Sequence, residues 1–201
     1  MNPCVARIHK NPYANELRQV KVGRIDIDGN IVENVWFQGL TEKLIVASRA
    51  KIITQYRNPF NYILAERADR LPVSYLDPIQ AYLAPYIVRQ NESHLVERFA
   101  RHIANRTEWK TLRFLTMLTR EISEGFQQTE REVGAPRSAE ETYLSRVGSS
   151  RDLAVLFMDT CRYVGIAARF VNGYYENDGA KDQLTLHSWG EVYLPGVGWR
   201  G

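Results

Sequence analysis

One stretch constrains this chain more than any other: Val147-Gly148-Ser149-Ser150-Arg151-Asp152-Leu153-Ala154. Small residues run here straight into an apolar, periodic segment. Ser149, with an acid three positions on at Asp152, is the signature of a helix N-terminus. Leu153, Leu156, Phe157, Thr160, Cys161 and Val164 then recur at helical spacing, and Gly165 supplies the residue that closes a helix in the left-handed region. A side chain at the start of such a helix sits beside unpaired backbone N–H groups and the positive end of the helix dipole. That environment suits a group on which negative charge develops. Ser150 is therefore a candidate nucleophile by position, and a plain helix cap is the structural alternative, because Ser is favoured at that place.

The residues after this helix supply a candidate base. Ile166 to Tyr175 is rich in β-branched and aromatic residues and reads as a strand, Glu176 to Gln183 as a polar turn, and Leu184 to Leu194 as a second strand carrying His187. Pro195-Gly196-Val197-Gly198 is a tight turn before a third strand beginning at Trp199. A nucleophile at a helix start facing a His on a neighbouring strand is the arrangement of thiol proteases: the dipole favours the thiolate, and the His takes and returns the proton. Trp189 shares a strand face with His187 and either walls a cleft or packs as core, and Glu191 lies on that face as a residue open to solvent. Arg151 and Asp152 read as helix-start charges that pair with nearby loops.

The remaining reactive residues have plainer readings. Cys161 lies 11 residues beyond Ser150, which is about 16 Å along a helix, and it falls on the apolar stripe, so it is expected to be a buried structural cysteine. Cys4 stands in a stretch without a clean period. His9, His94 and His102 show no ligand spacing, and no metal or cofactor is expected.

Upstream, residues 1–20 form a ragged start, and residues 21–54 read as β. The segments Lys21 to Ile27 and Ile31 to Gln38 flank the turn signal Asp28-Gly29-Asn30, and Leu44 to Ile53 is a further strand. Gln55 to Ser74 is an irregular connector. Asp77-Pro78 starts a helix that Pro85 limits to about two turns. Asn91 or Ser93 opens a second helix, with Leu95, Phe99, His102 and Ile103 on one face. Thr107 with Glu108 opens a third, ending at Gly125. Gln127 to Pro136 is a loop or small hairpin, and Ser138 with Glu141 caps a short helix. The switch from β to α divides the chain into a β-rich module over residues 1–75, expected to be incomplete, and a core over residues 76–201. The fold class is α+β.

Composition narrows the function. The chain is 44% hydrophobic and 24% charged, enough to bury a core. Its formal net charge is +3, with basic residues scattered and no aromatic platform among them, so nucleic acid is not an expected partner. No run of 18 apolar residues appears, so no membrane span or membrane partner is expected. Two cysteines 157 positions apart form neither a disulfide framework nor a zinc spacing, and a cytoplasmic location is the default. Oligomeric state is left open.

The C-terminal motifs resemble those of the bacterial transglutaminase-like family. The chain has Gly148-Ser149-Ser150-Arg151-Asp152, then Ala168-Arg169-Phe170-Val171-Asn172-Gly173-Tyr174, then His187-Ser188-Trp189-Gly190-Glu191-Val192-Tyr193-Leu194-Pro195-Gly196-Val197-Gly198-Trp199. The family pattern is Gly-Ser-Cys-Arg-Asp, then Ala-Arg-Phe-Val-Ser-Gly-Tyr, then His-Ala-Trp-x-Glu-Val-Tyr-Leu-Pro-Gly-x-Gly-Trp. Gly29-Asn30 and Asn58-Pro59-Phe60 resemble the β module that precedes the family core, and the resemblance covers roughly residues 25–201. It implies a papain-like core with helices packed on a small antiparallel sheet. It also implies acyl transfer or hydrolysis at peptide or side-chain amides, with a protein or peptide as substrate. By the resemblance, Ser150 stands at the family's nucleophilic cysteine and His187 at its base. The third, acidic member of the triad is not present, its place coming after Gly201. A Ser in place of the thiol leads to the expectation of weak or absent catalysis. Three readings stay open: a thiol-protease-type acyl-transfer domain, a non-catalytic pseudoenzyme that binds peptide in the remnant cleft, and a fragment of a longer enzyme.

Overall fold

The computed structural model describes residues 19–26, 30–37, 62–89, 92–131, 133–175 and 185–201. The chain divides into two compact units, residues 1–58 and 59–201. The division lies upstream of the 75/76 boundary read from composition, because Ala68, Leu71, Val73 and Tyr75 are buried in the core of the larger unit.

Within the first unit, β1 (Gln19–Ile25) pairs antiparallel with β2 (Ile31–Phe37), with Ile25 opposite Ile31. Asp26 holds the turn: its carboxylate accepts from the Asn30 backbone at 2.8 Å and from the Asn30 side-chain amide at 2.9 Å. This is the turn chemistry expected of an Asx residue. Gln19 and Val20 thus belong to β1 and not to a ragged start. The strand read at residues 44–53 lies outside the described residues.

The second unit is built around one helix. The helices α1 (Ile79–Ile87), α2 (His94–Arg106), α3 (Thr111–Gly125), α4 (Ala139–Ser145) and α5 (Ser150–Tyr163) precede a sheet of β5 (Ala168–Tyr175), β6 (Thr185–Leu194) and β7 (Gly198–Arg200). That sheet is antiparallel in the order β5-β6-β7. Helices α2, α3 and α4 and strands β5 and β6 all pack against α5. A helix covered on several sides needs more than one apolar stripe. Accordingly Ala154, Leu156, Met158, Thr160 and Cys161 are all buried, together with the charged Asp152, Asp159 and Arg162. Arg162 donates to the carbonyls of Tyr86 (3.0 Å), Val88 (3.2 Å) and Ala168 (2.8 Å), tying the end of α5 to the end of α1 and the start of β5.

Local chemistry explains the boundaries. Ser93 caps α2 by accepting from the Val96 N–H, and Ser138 with Glu141 forms a reciprocal capping box at α4. The third helix opens at Thr111, not Thr107. The Thr107 hydroxyl instead donates back to Ile103 and Ala104, closing α2, and Glu108 and Trp109 take left-handed φ of 55° and 57°. Gly125 ends α3 without a left-handed cap, because Phe126 continues in an extended conformation into the core. Pro78 occupies the cap position of α1, and Pro85 lies inside its last turn. Gly165 has φ +79°, and a Cβ there would meet Pro72 Cβ at 2.6 Å, so both backbone conformation and space demand glycine.

Candidate active site

The segment before α5 is not a hairpin. Its β3 (Gln127–Gln128) runs parallel to β4 (Val147–Gly148), the two residues that lead into α5. Gln127 N–H donates to Arg146 O at 2.8 Å and Thr129 N–H to Gly148 O at 2.9 Å. This pairing brings Arg131, Gly134 and Arg137 beside the first turn of the central helix.

Asp152 gathers that turn. Its carboxylate is 1% exposed and accepts from Ser149 N (2.8 Å), Ser149 Oγ (2.9 Å), Arg137 N (2.8 Å) and Arg131 Nη2 (2.5 Å). Burial alone would raise its pKa, but the amide N–H groups of Arg137 and Ser149, the Ser149 hydroxyl and the Arg131 guanidinium outweigh it and hold the carboxyl below its ordinary value. Arg151 reaches the other way, donating to Gly134 O at 2.9 Å and to Arg131 O at 2.5 Å. Arg151 and Asp152 do pair with the neighbouring loop. Arg131, 21 positions from Asp152, is the partner that no local pattern marks.

The cap residue of α5 is Ser149, and Ser150 is the first helical residue, half-buried. The capping explanation of Ser150 therefore falls to its neighbour. A residue at this place lies among the first backbone N–H groups of a helix.

His187 stands on β6 opposite Gly173 of β5 and is half-buried. Trp189 is half-buried on the same face; a Cβ at Gly173 would sit 2.5 Å from its Cη2, so the ring lies across β5, and its Nε1 approaches Gly201. Glu191 is not simply solvated: it pairs with Arg169 (2.8 and 2.7 Å), whose guanidinium stacks 4.4 Å from the centre of the Trp199 ring. Ser188, Val192 and Leu194 alternate with these residues and are buried.

Two contacts align α5 with β6. The end of the helix meets the sheet where Arg162 bonds Ala168, whose strand partner is Val192. Further back, Phe157 lies against Gly190, where an added Cβ would be 2.6 Å from Phe157 Cδ1. Helix and strand thus run in the same direction. From Phe157 back to Ser150 is about 10.5 Å of helix, and from Gly190 back to His187 is about 10 Å of strand. The start of α5 and the backbone of His187 therefore lie at the same end of the helix–strand pair, with the His187 side chain on the strand face opposite the one Gly190 turns to Phe157.

The other candidates are elsewhere. Cys161 is fully buried, and burial pushes its thiol far above the ordinary range. His94 and His102 are exposed on α2, and no group of three metal-ligating side chains occurs among the described residues. His9 and Cys4 lie outside the described residues. Two open grooves, of about 450 Å³ between α2, α4 and α5 and about 570 Å³ along α2, include neither Ser150 nor His187.

Comparison with known proteins agrees with this core. The sequence pattern of the transglutaminase-like superfamily matches residues 90–200, more than half of the chain. The chain belongs to the transglutaminase-like superfamily. Among solved structures, it is similar to a candidate cysteine protease from Cytophaga hutchinsonii, with TM-score 0.51 and 20% identity over 67% of this chain and 44% of that one. At that identity the likeness is one of fold, and the chain spans less than half the length of that structure. It is also similar to the periplasmic domain of TgpA from Pseudomonas aeruginosa, with TM-score 0.47 and 20% identity over 62% of this chain and 46% of that one. No curated protein matches the sequence. The α+β class and the transglutaminase-like core expected from the motifs stand. The superfamily pattern begins at residue 90 and ends at residue 200, so it spans α2 to β7 and both Ser150 and His187.

Proposed function

We propose that residues 59–201 form an acyl-transfer module of the thiol-protease type, acting on peptide or side-chain amides, with residue 150 as the nucleophile's seat and His187 as the base. The observation that supports this reading is the placement of Ser150 as the first residue of α5, with His187 on β6 three residues before the Gly190 that meets Phe157 of α5. In the proposed cycle the residue-150 side chain attacks the substrate carbonyl while His187 takes its proton. The tetrahedral oxyanion forms beside the backbone N–H groups of the helix start. His187 returns the proton to the leaving amine, and water or a second amine releases the acyl group.

The occupant limits the rate. A serine hydroxyl ionises far less readily than a thiol, whose free pKa is about 8.5, and a helix terminus contributes only about 0.3–2 kcal/mol toward an anion. The chain is therefore a slow catalyst as it stands, and Ser150→Cys restores the chemistry. The test is hydrolysis of activated esters and peptide amides, and incorporation of a primary amine, by the purified chain and by Ser150→Cys. Thiol-dependent turnover in Ser150→Cys alone supports the reading. If Ser150→Cys leaves both esters and amides untouched while peptide still binds, the cleft is a binding site and the catalytic reading fails.

A further inference from the structure

Resting on the reading of residue 150 as the nucleophile's seat, we propose that Arg131 and Asp152 are positioning residues for that seat. Arg131 neutralises the Asp152 carboxylate, two residues along the same helical turn, so that an anion at position 150 is not opposed by a buried like charge.

The geometry carries this. Asp152 is 1% exposed, so water does not screen it, and it sits in the turn that Ser150 opens. Of its four donors only Arg131 brings a full positive charge, at 2.5 Å. The guanidinium is itself held in place: its Nη1 donates to Ala135 O at 3.0 Å, and the Arg131 backbone carbonyl accepts from Arg151. Arg131 thus enters from one side while Arg151 grips the same segment from the other, and the pair is fixed against the helix start. Among the described residues, the charged groups at the helix start and on the elements packed against it are Arg151 and Asp152 on α5, Arg131 and Arg137 from the preceding segment, Glu141 on α4, and His187 on β6. Among them only Asp152 combines full burial, negative charge and a place in the helix's first turn. The Asp152 carboxylate lies against Ser149, the residue before the seat, and a buried like charge so near the helix start disfavours an anion there, whereas its neutral or paired form does not.

The test uses Ser150→Cys as background and reads the apparent pKa of the introduced thiol from the pH dependence of iodoacetamide alkylation. Peptide mapping separates position 150 from Cys4 and Cys161. Arg131→Gln is expected to raise that pKa by about one unit, and Arg131→Lys to keep it within a few tenths. Asp152→Asn is expected to shift it the opposite way, downward. A merely structural role would move the Arg131 and Asp152 variants in the same direction. Should Arg131→Gln not fold, the downward shift in Asp152→Asn and its absence in Arg131→Lys decide the question. Shifts of the same sign in both partners, or none in either, overturn the proposal. The seat itself is judged separately, by the absolute pKa in Ser150→Cys; this proposal is read from differences.

Discussion

Gly190 of β6 lies against the ring of Phe157 on α5, so closely that a Cβ at position 190 would sit 2.6 Å from Phe157 Cδ1. This contact fixes how far the helix stands from the strand and which stretch of each faces the other. Replacing Gly190 with Ala forces helix and strand apart or drives Phe157 off its rotamer. Such overpacking costs about 1–3 kcal/mol, so Gly190→Ala should lower the unfolding midpoint in urea. Phe157→Leu in the same chain should recover part of the loss, because the smaller side chain makes room.

Tyr75 joins the connector before α1 to the sheet. Its hydroxyl accepts from Ala167 N–H at 2.9 Å and donates to Tyr193 O at 3.1 Å, and burial raises its pKa to about 12. The unfolded chain loses this proton first, near the ordinary value of 10.0, so the contribution is complete below that pH and is lost between it and about 12. Tyr75→Phe should strand the buried Ala167 N–H at a cost of about 1–3 kcal/mol. It should also flatten the fall in stability on the alkaline side, measured by denaturant melts from about pH 9 to about 12.

Asp152 makes the opposite prediction in acid. Its carboxyl is held below the ordinary 3.8, so the unfolded chain takes up the proton first. The stabilisation is complete above that value and declines as pH falls below it. Asp152→Asn should remove this part of the acid slope in thermal melts.

Cys161 is inert where the fold is intact. It is fully buried on α5, and burial raises its thiol. Ellman's reagent should label it only above the denaturation midpoint, with the label located by peptide mapping. Rapid labelling of Cys161 in the native chain would contradict the packing of α5.

The α5 start is legible in the sequence because every device that makes it is local: Ser149 and Asp152 at the cap, periodic apolar residues behind them, Gly165 at the end. The three C-terminal strands are legible for the same reason, through β-branched residues and a tight turn. The hidden features depend on residues far apart. Arg131 finds Asp152 only because two residues of β3 pair in parallel with β4, and a two-residue strand has no period to read. Thr107 carries the sequence mark of a helix start, yet its hydroxyl turns back to Ile103, whereas α3 ends at Gly125 as its glycine stop predicts. The crossing of α5 over β6 at Gly190 is equally silent, since a strand glycine shows its role only beside Phe157. Within the candidate site, residue types and order are readable from the chain, whereas the pairing network that steadies them requires the fold.

The central claim is that residue 150 and His187 act as a pair, and one measurement reaches it without depending on turnover. In Ser150→Cys, the rate of alkylation at position 150 near pH 6 reports the thiolate that His187 and the helix start stabilise. Adding His187→Ala should lower that rate by about tenfold, corresponding to a pKa rise of about one unit. An unchanged alkylation rate in the His187→Ala background would contradict the pairing.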